Sequence, residues 1–189
     1  MIQSFDDRLL DFFGSLQVAW LTPIMIFLSN LTAHGELWIA AGLIMLIFKR
    51  TRKMGFAVLL ALLFDVVLTN LLLKPLVART RPFDAHEITL LVTRPKDYSF
   101  PSGHSAASFA GALAMLLHDK RFGIPAMVLA AVIAFSRLYL QVHYFTDVAV
   151  GILIGCLCAI AARLAEIKGC TLTEILTQTE QNAKTLFGI

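Results

Sequence analysis

The chain has 189 residues, of which 58% are hydrophobic and 15% charged, with a formal net charge of +3 and a mean hydropathy of +0.75. So little charge cannot cover a water-soluble globule of this length, which excludes a soluble fold and points to an integral membrane protein. The bilayer is the expected environment, and no nucleic-acid partner is expected.

Met1 to Phe13 carries Asp6, Asp7, Arg8 and Asp11, the wrong pattern for the basic start of a cleavable signal peptide. It reads as a short, retained amphipathic surface helix. Apolar stretches follow at about Leu16 to Leu31, Leu37 to Phe48, Met54 to Leu73, Ser105 to Leu117, Gly123 to Leu140 and Val148 to Ile167. Each approaches the roughly 20 residues that a spanning helix needs. The second and fourth are short: either flanking polar residues such as Glu36, Lys49 and the Ser-Gly-His turn complete them, or they sit inside the bundle.

The expected architecture is all-α: one membrane-embedded domain over residues 1–189, a bundle of six transmembrane helices behind the N-terminal amphipathic helix. Six spans put both termini on one side. With the termini in the cytoplasm, ten of the sixteen Lys and Arg residues are internal, as the bias toward basic inner loops requires. Lys74, Arg79, Arg81, Arg94, Lys96 and Arg137 are then external. Cys156, Cys158 and Cys170 read as small apolar filler, with no disulfide or metal site, and Thr171 to Ile189 as a helical or frayed cytoplasmic end.

Three blocks between Lys74 and Asp147 carry chemistry. In the first, Pro75 is expected to end or kink the third span, fixing Lys74 at a helix end. Arg81, followed by Pro82, offers in the loop beyond a planar fork that grips phosphate oxygens; a pair of cations meeting lipid headgroups is the plainer reading. The second block is Pro101-Ser102-Gly103-His104. Ser102 is a natural N-cap, Gly103 lets a ligand approach the backbone, and a helix N-terminus is an anion site. His104 in the first turn can donate a proton to a leaving group, although an ordinary capped helix has the same signature. The small residues from Ser105 to Ala112, like Gly151 and Gly155, suggest close helix packing.

The third block is Ser136-Arg137 with His143 and Asp147. On a helix, a four-residue spacing puts imidazole and carboxylate on one face. Asp147 can then orient His143 as a nucleophile, or the two can form a structural hydrogen bond. All three blocks fall at the outer ends of the expected spans.

Together these blocks resemble the three-part motif of the type-2 phosphatidic acid phosphatase family. The resemblance implies a membrane lipid phosphatase with no metal or other cofactor. His143 would be the nucleophile, Asp147 its orienting carboxylate and His104 the acid. Lys74, Arg81, Ser102, Gly103 and Arg137 would hold phosphate, while Pro82, Pro101 and Ser136 are structural positions of the motif. The substrate implied is a lipid phosphate or diphosphate, first undecaprenyl diphosphate, then phosphatidylglycerophosphate or phosphatidic acid. Compact family likeness places it in a bacterial plasma membrane with the site facing outward. Transfer of phosphate to a second lipid stays open. A transporter using the cations as an anion pathway leaves the histidines unexplained.

Asp65 and Asn70 lie inside the third span, where a carboxylate is either functional or bonded within the bundle. His34, Glu36, Asp84, His86 and Asp97 are expected around the entrance. The loop Phe83 to Phe100, with Ile88, Leu90, Leu91 and Val92, is expected to lie on the outer surface and gate a lipid tail. Asn30-Leu31-Thr32 is a formal glycosylation triplet too near the membrane for use.

Overall fold

The computed structural model describes residues 2–32 and 35–168, with residues 174, 177, 178 and 181 beyond them. His34, Cys170 and the body of the C-terminal tail lie outside the described residues. Every regular element among those described is helical: α1 (Ile2–Ser15), α2 (Thr22–Asn30), α3 (Glu36–Ile47), α4 (Arg52–Asp65), a π-helical continuation (Val66–Leu73), α5 (Lys74–Val77), α6 (Pro82–Ala85), α7 (Gly103–Leu116), α8 (Lys120–Tyr139) and α9 (Phe145–Lys168).

The helix α7, rich in small side chains, is the hub. It touches α3, α4, α8 and α9, because alanine, serine and glycine let neighbouring backbones come close. A Cβ on Gly155 of α9 would stand 2.2 Å from the Ala106 carbonyl oxygen, and one on Gly151 would stand 2.6 Å from that of Ser102. On another side Trp38 of α3 lies over Gly111 and donates from Nε1 to Ser108 Oγ at 3.1 Å. The core around this hub includes Val58, Ala61, Ala110, Ala130, Ile133 and Ala159. Aliphatic side chains such as Leu71, Ile124, Val128 and Leu153 remain more than half exposed, an apolar outer surface suited to lipid.

Among the described residues, three stretches are long and apolar enough to cross a bilayer: Arg52–Ala85, Lys120–Tyr139 and Phe145–Lys168. α3 and α7 are shorter, at 12 and 14 residues, yet run alongside them in the bundle. The first expected span does not form. The stretch Leu16 to Leu31 is broken at residues 16–21, and α2, at 9 residues, is only about 14 Å long.

Both α1 and α2 instead pack across the end of the bundle where α8 finishes and α9 begins. Leu10 O accepts from Gln141 Nε2 at 3.0 Å, Val18 N donates to Tyr139 Oη at 2.8 Å, and Asp6 pairs with Arg79 at 2.8 Å. The described end of α9 lies at the opposite end, where Arg163 and Glu166 meet His118. The arrangement therefore differs from six crossings with both termini together. A hydropathy stretch does not register the polar tethers, such as Gln17 to Tyr139 O at 2.8 Å, that bend the chain back.

Pro75 also acts differently from the expectation. The helix passes through it to Val77 and stops at Ala78, whose φ is 48°. The residues before it widen into π geometry, with Lys74 N bonded to Thr69 O. A wider turn accommodates the donor that proline lacks. The loop 86–102 folds back over the end of the bundle. Ile88, Leu90, Leu91 and Val92 pack on a cluster of Met25, Phe83, Tyr139, Leu140 and Val142. Thr32 of the glycosylation triplet is buried.

If the α7 to α9 contact is the seam of the bundle, Gly155→Val should lower the thermal midpoint in detergent by roughly 3–10 °C, the range for overpacking a tight contact. Leu157→Val, on a side chain that is 53% exposed, should leave it nearly unmoved; equal shifts would contradict the packing.

Candidate active site

Loop, turn and helix ends converge on a cavity of about 710 Å³ at the end of the bundle capped by α2 and the 86–102 loop. Lys74, Arg81, Asp97, Gly103, His104, Arg137 and His143 all line it. Its deeper wall holds Asp65 and Asn70, and Ser29 and Asn30 close one side. The three cations Lys74, Arg81 and Arg137 are each less than 10% exposed, so their charge acts in a medium that screens it poorly.

Arg81 arrives in extended backbone just before α6, whose first residue is Pro82. Its guanidinium is fully engaged. Nε donates to Asp97 O at 2.8 Å, Nη1 to Val142 O at 2.8 Å, and Nη2 to Asp97 Oδ1 at 2.7 Å; Nη1 also lies 3.3 Å from His143 Nε2. Lys74 Nζ pairs with the other oxygen of Asp97. Burial opposes ionisation of Asp97, but the hydrogen bond from Lys74 and the charge of Arg81 override it and hold its carboxyl well below the usual carboxylate range.

Arg137, in the last turn of α8, donates from Nη1 to Ser29 Oγ, while its buried Nε has no partner. An orphaned buried donor in a cavity wall is able to bond an anion oxygen. Ser136 beside it is turned away, donating to Ile133 O at 2.7 Å.

His143 lies in the turn before α9, which begins at Phe145, so the imidazole and Asp147 do not share a regular helix face. Nδ1 is 3.6 Å from Asp147 Oδ2, longer than a hydrogen bond, and has no hydrogen-bond partner. Asp147 is fully buried and held from three directions. Ser99 Oγ donates at 2.5 Å, Tyr144 N at 3.0 Å, and Arg79 Nη1 at 2.7 Å. Arg79 in turn reaches Asp6 of α1 at 2.8 Å and stacks over Tyr144 at 4.0 Å.

Ser102 caps α7 as its sequence context predicts. Its Oγ faces Ser105 Oγ at 3.0 Å and Ser105 N at 3.5 Å, and its own N–H donates to Asp147 O at 3.0 Å. The side chain is buried behind the cavity wall, while Gly103 and His104 face the cavity. Pro101 and Pro82 are buried supports. Asp65 bonds Thr69 Oγ1 at 2.7 Å and is 1% exposed, joining a structural bond to a place in the cavity wall. Asp84 pairs with Arg94, which lines the cavity, and His86 pairs with Asp7 at 3.3 Å; Asp84, His86 and Asp7 themselves do not line it.

Sequence reasoning left Arg79, Asp6, Ser99 and Ser29 without a role and gave Asp97 only a place near the entrance. Arg79 stands two residues before Arg81, the nearest thing to a signal. Asp6 gave none, because its partner is 73 residues away. Among the described residues no group of three or more His, Cys, Asp or Glu side chains is arranged to hold a metal ion.

Burial first, then the positive charges of Arg81, Arg137 and Lys74, pushes the His143 imidazole well below its ordinary pKa. A depressed pKa keeps the ring neutral down to more acidic pH. In the free protein in detergent, the ¹⁵N shifts of His143 should therefore report neutral imidazole at pH 6.5, where an ordinary histidine is about half protonated. A titration midpoint at or above that value would contradict the electrostatics.

The arrangement has close relatives. A family model described as the PAP2 superfamily matches residues 50–167, which include all three blocks. An undecaprenyl-diphosphatase of Sulfolobus acidocaldarius is 37% identical over 141 residues, 74% of this chain and 68% of that protein. A decaprenylphosphoryl-5-phosphoribose phosphatase of Mycobacterium tuberculosis is 36% identical over 129 residues, 68% of this chain and 71% of that one. The crystal structure of a transmembrane PAP2-type phosphatidylglycerolphosphate phosphatase from Bacillus subtilis superposes with a TM-score of 0.72 at 28% identity, covering 88% of this chain and 87% of its own. With buried cations and paired histidines gathered in one cavity, and with the family match running through them, the chain is a membrane-embedded phosphatase of the PAP2 superfamily.

Proposed function

We propose that the protein hydrolyses the terminal phosphate of a lipid phosphate or diphosphate through a phosphohistidine on His143, undecaprenyl diphosphate being the leading substrate. The observation that carries this reading is the position of His143. Its Nε2 lies in the cavity wall 3.3 Å from Arg81 Nη1, and its Nδ1 faces the buried Asp147. A neutral imidazole backed by a carboxylate and flanked by phosphate-binding cations is an activated nucleophile.

In the first step His143 Nε2 forms a bond to phosphorus as the bond to the leaving oxygen breaks, and His104 gives that oxygen a proton. Asp147 stabilises the ring as it gains positive charge. In the second step water attacks phosphorus, its proton passes to His104, and the bond to nitrogen breaks, releasing inorganic phosphate. Lys74, Arg81, Arg137 and the Gly103 N–H would hold the equatorial oxygens and the charge they gain in the transition state. Ser102 supports them through the cap of α7. These cations supply the positive charge, so the reading assigns no role to a metal or other cofactor.

The relatives' names favour polyprenyl phosphates, and the Bacillus subtilis structure keeps phosphatidylglycerophosphate as the second candidate. The likeness of the whole described fold supports one catalytic domain over residues 1–189, whose motif core is 74–147. For orientation we take the site as extracytoplasmic in a bacterial plasma membrane. The opposite end carries Lys49, Arg50, Arg52, Lys53, Lys120, Arg121, Arg163 and Lys168, the basic loops expected inside. The N-terminal helix α1 then lies outside, at the membrane surface beside the site, and the C-terminal end inside. A transporter needs a polar route through the bundle, whereas the buried charged side chains gather at one end, with Asp65 the deepest.

The test is release of inorganic phosphate in detergent with excess EDTA, from undecaprenyl diphosphate, phosphatidylglycerophosphate and phosphatidic acid. Wild type should release phosphate and His143→Ala none, with the lipids ranked by rate. Asp147→Asn should retain a trace, down by about 10²–10⁴-fold, since geometry survives without the carboxylate's charge. Equal rates in wild type and His143→Ala would remove the nucleophile; silence from both on every lipid would favour transfer or transport.

A further inference from the structure

The carboxylate of Asp97 stands where the proposed reaction needs phosphate oxygens. Its Oδ2 accepts from Lys74 Nζ and its Oδ1 from Arg81 Nη2 at 2.7 Å. A two-oxygen acceptor bridging two cations is the contact that two oxygens of a bound phosphate make. Exposure is lopsided: the Asp97 side chain is 51% exposed, those of Lys74 and Arg81 only 10% and 4%. The cations belong to the wall, and the carboxylate reaches them from the loop at the cavity mouth. Arg81 Nε separately holds the Asp97 carbonyl oxygen at 2.8 Å. Rotation of the side chain alone therefore releases Lys74 Nζ and Arg81 Nη2 from the carboxylate while the backbone contact stays in place.

Resting on the reading that Lys74 and Arg81 hold the substrate's phosphate, we propose that Asp97 is a built-in competitor, a carboxylate displaced by the terminal phosphate on binding and restored as inorganic phosphate leaves. Displacing it costs every incoming anion the same amount. A phosphomonoester or terminal diphosphate carries enough charge to meet that cost against three buried cations. A phosphodiester headgroup, with one negative charge, only exchanges with Asp97. The site opens among such headgroups in large excess, and the resident carboxylate keeps its affinity below the level at which they would fill it. Asp97 thereby sets the affinity of the site for anions as a whole, and its return assists product release.

The experiment measures inhibition by inorganic phosphate and by phosphatidylglycerol, with a soluble short-chain phosphomonoester as substrate, in wild type and in Asp97→Asn, Asp97→Ala and Asp97→Glu. Both inhibition constants should fall by about five- to tenfold in the Asn and Ala variants, the scale of losing two partly exposed ion pairs, and stay near wild type in Asp97→Glu. Direct phosphate binding on a His143→Ala background should move the same way, so a variant without turnover still gives an answer. Unchanged or weakened anion binding in Asp97→Asn and Asp97→Ala would overturn the proposal and make Asp97 a brace for the cations. Phosphate affinity that survives Arg81→Ala would instead overturn the cradle reading beneath it.

Discussion

The guanidinium of Arg81 is the knot on which the site depends. Removing a cation from water costs several kcal/mol even after relaxation, and the cost must be met by hydrogen bonds and opposite charge. Arg81 meets it by binding two separate pieces of chain: the carbonyl and carboxylate of Asp97, and the carbonyl of Val142 with the ring of His143 beside it. The loop before α7 and the turn before α9 are thus fixed relative to each other through one side chain. The positions of His143 Nε2 and of the cations in the cavity wall follow from that tie.

A second ionic chain supports the first from behind. Arg79 joins Asp147 to Asp6, so the carboxylate facing His143 is held by a helix from the opposite end of the sequence. Both chains sit on an apolar bundle whose hub, α7, is narrow enough for Gly151 and Gly155 of α9 to touch its backbone. That close approach brings Asp147 O within 3.0 Å of Ser102 N. The small side chains of α7 and the polar cluster above them are therefore one design: tight packing below sets the spacing of the charges above.

Much of the site was legible because its chemistry is local in sequence. Ser102 capping α7, the cavity-facing Gly103 and His104, and the gathering of Lys74, Arg81, Arg137 and His143 follow from short patterns. What escaped was long-range. The first apolar stretch reads as a span until its polar tethers to α8 are visible. Asp6 reads as a surface charge until Arg79 is seen beside it. The turn that carries His143 outside α9 depends on Tyr144 N bonding Asp147 Oδ2 at 3.0 Å, which spacing alone does not distinguish from a continuous helix. The family resemblance gives Ser102 to phosphate; in the structure its hydroxyl lies 3.0 Å from Ser105 Oγ, a cap contact that residue type alone already suggests.

The central claim is covalent catalysis by His143, and trapping the intermediate tests it most directly. Wild-type protein would be mixed with lipid diphosphate labelled in its terminal phosphate, quenched in alkaline denaturant within milliseconds to seconds, and mapped by mass spectrometry. The account predicts label that is stable to alkali, lost in acid, located on His143 and absent from His143→Ala. Label on another residue, or rapid turnover with no label at any quench time, would contradict it.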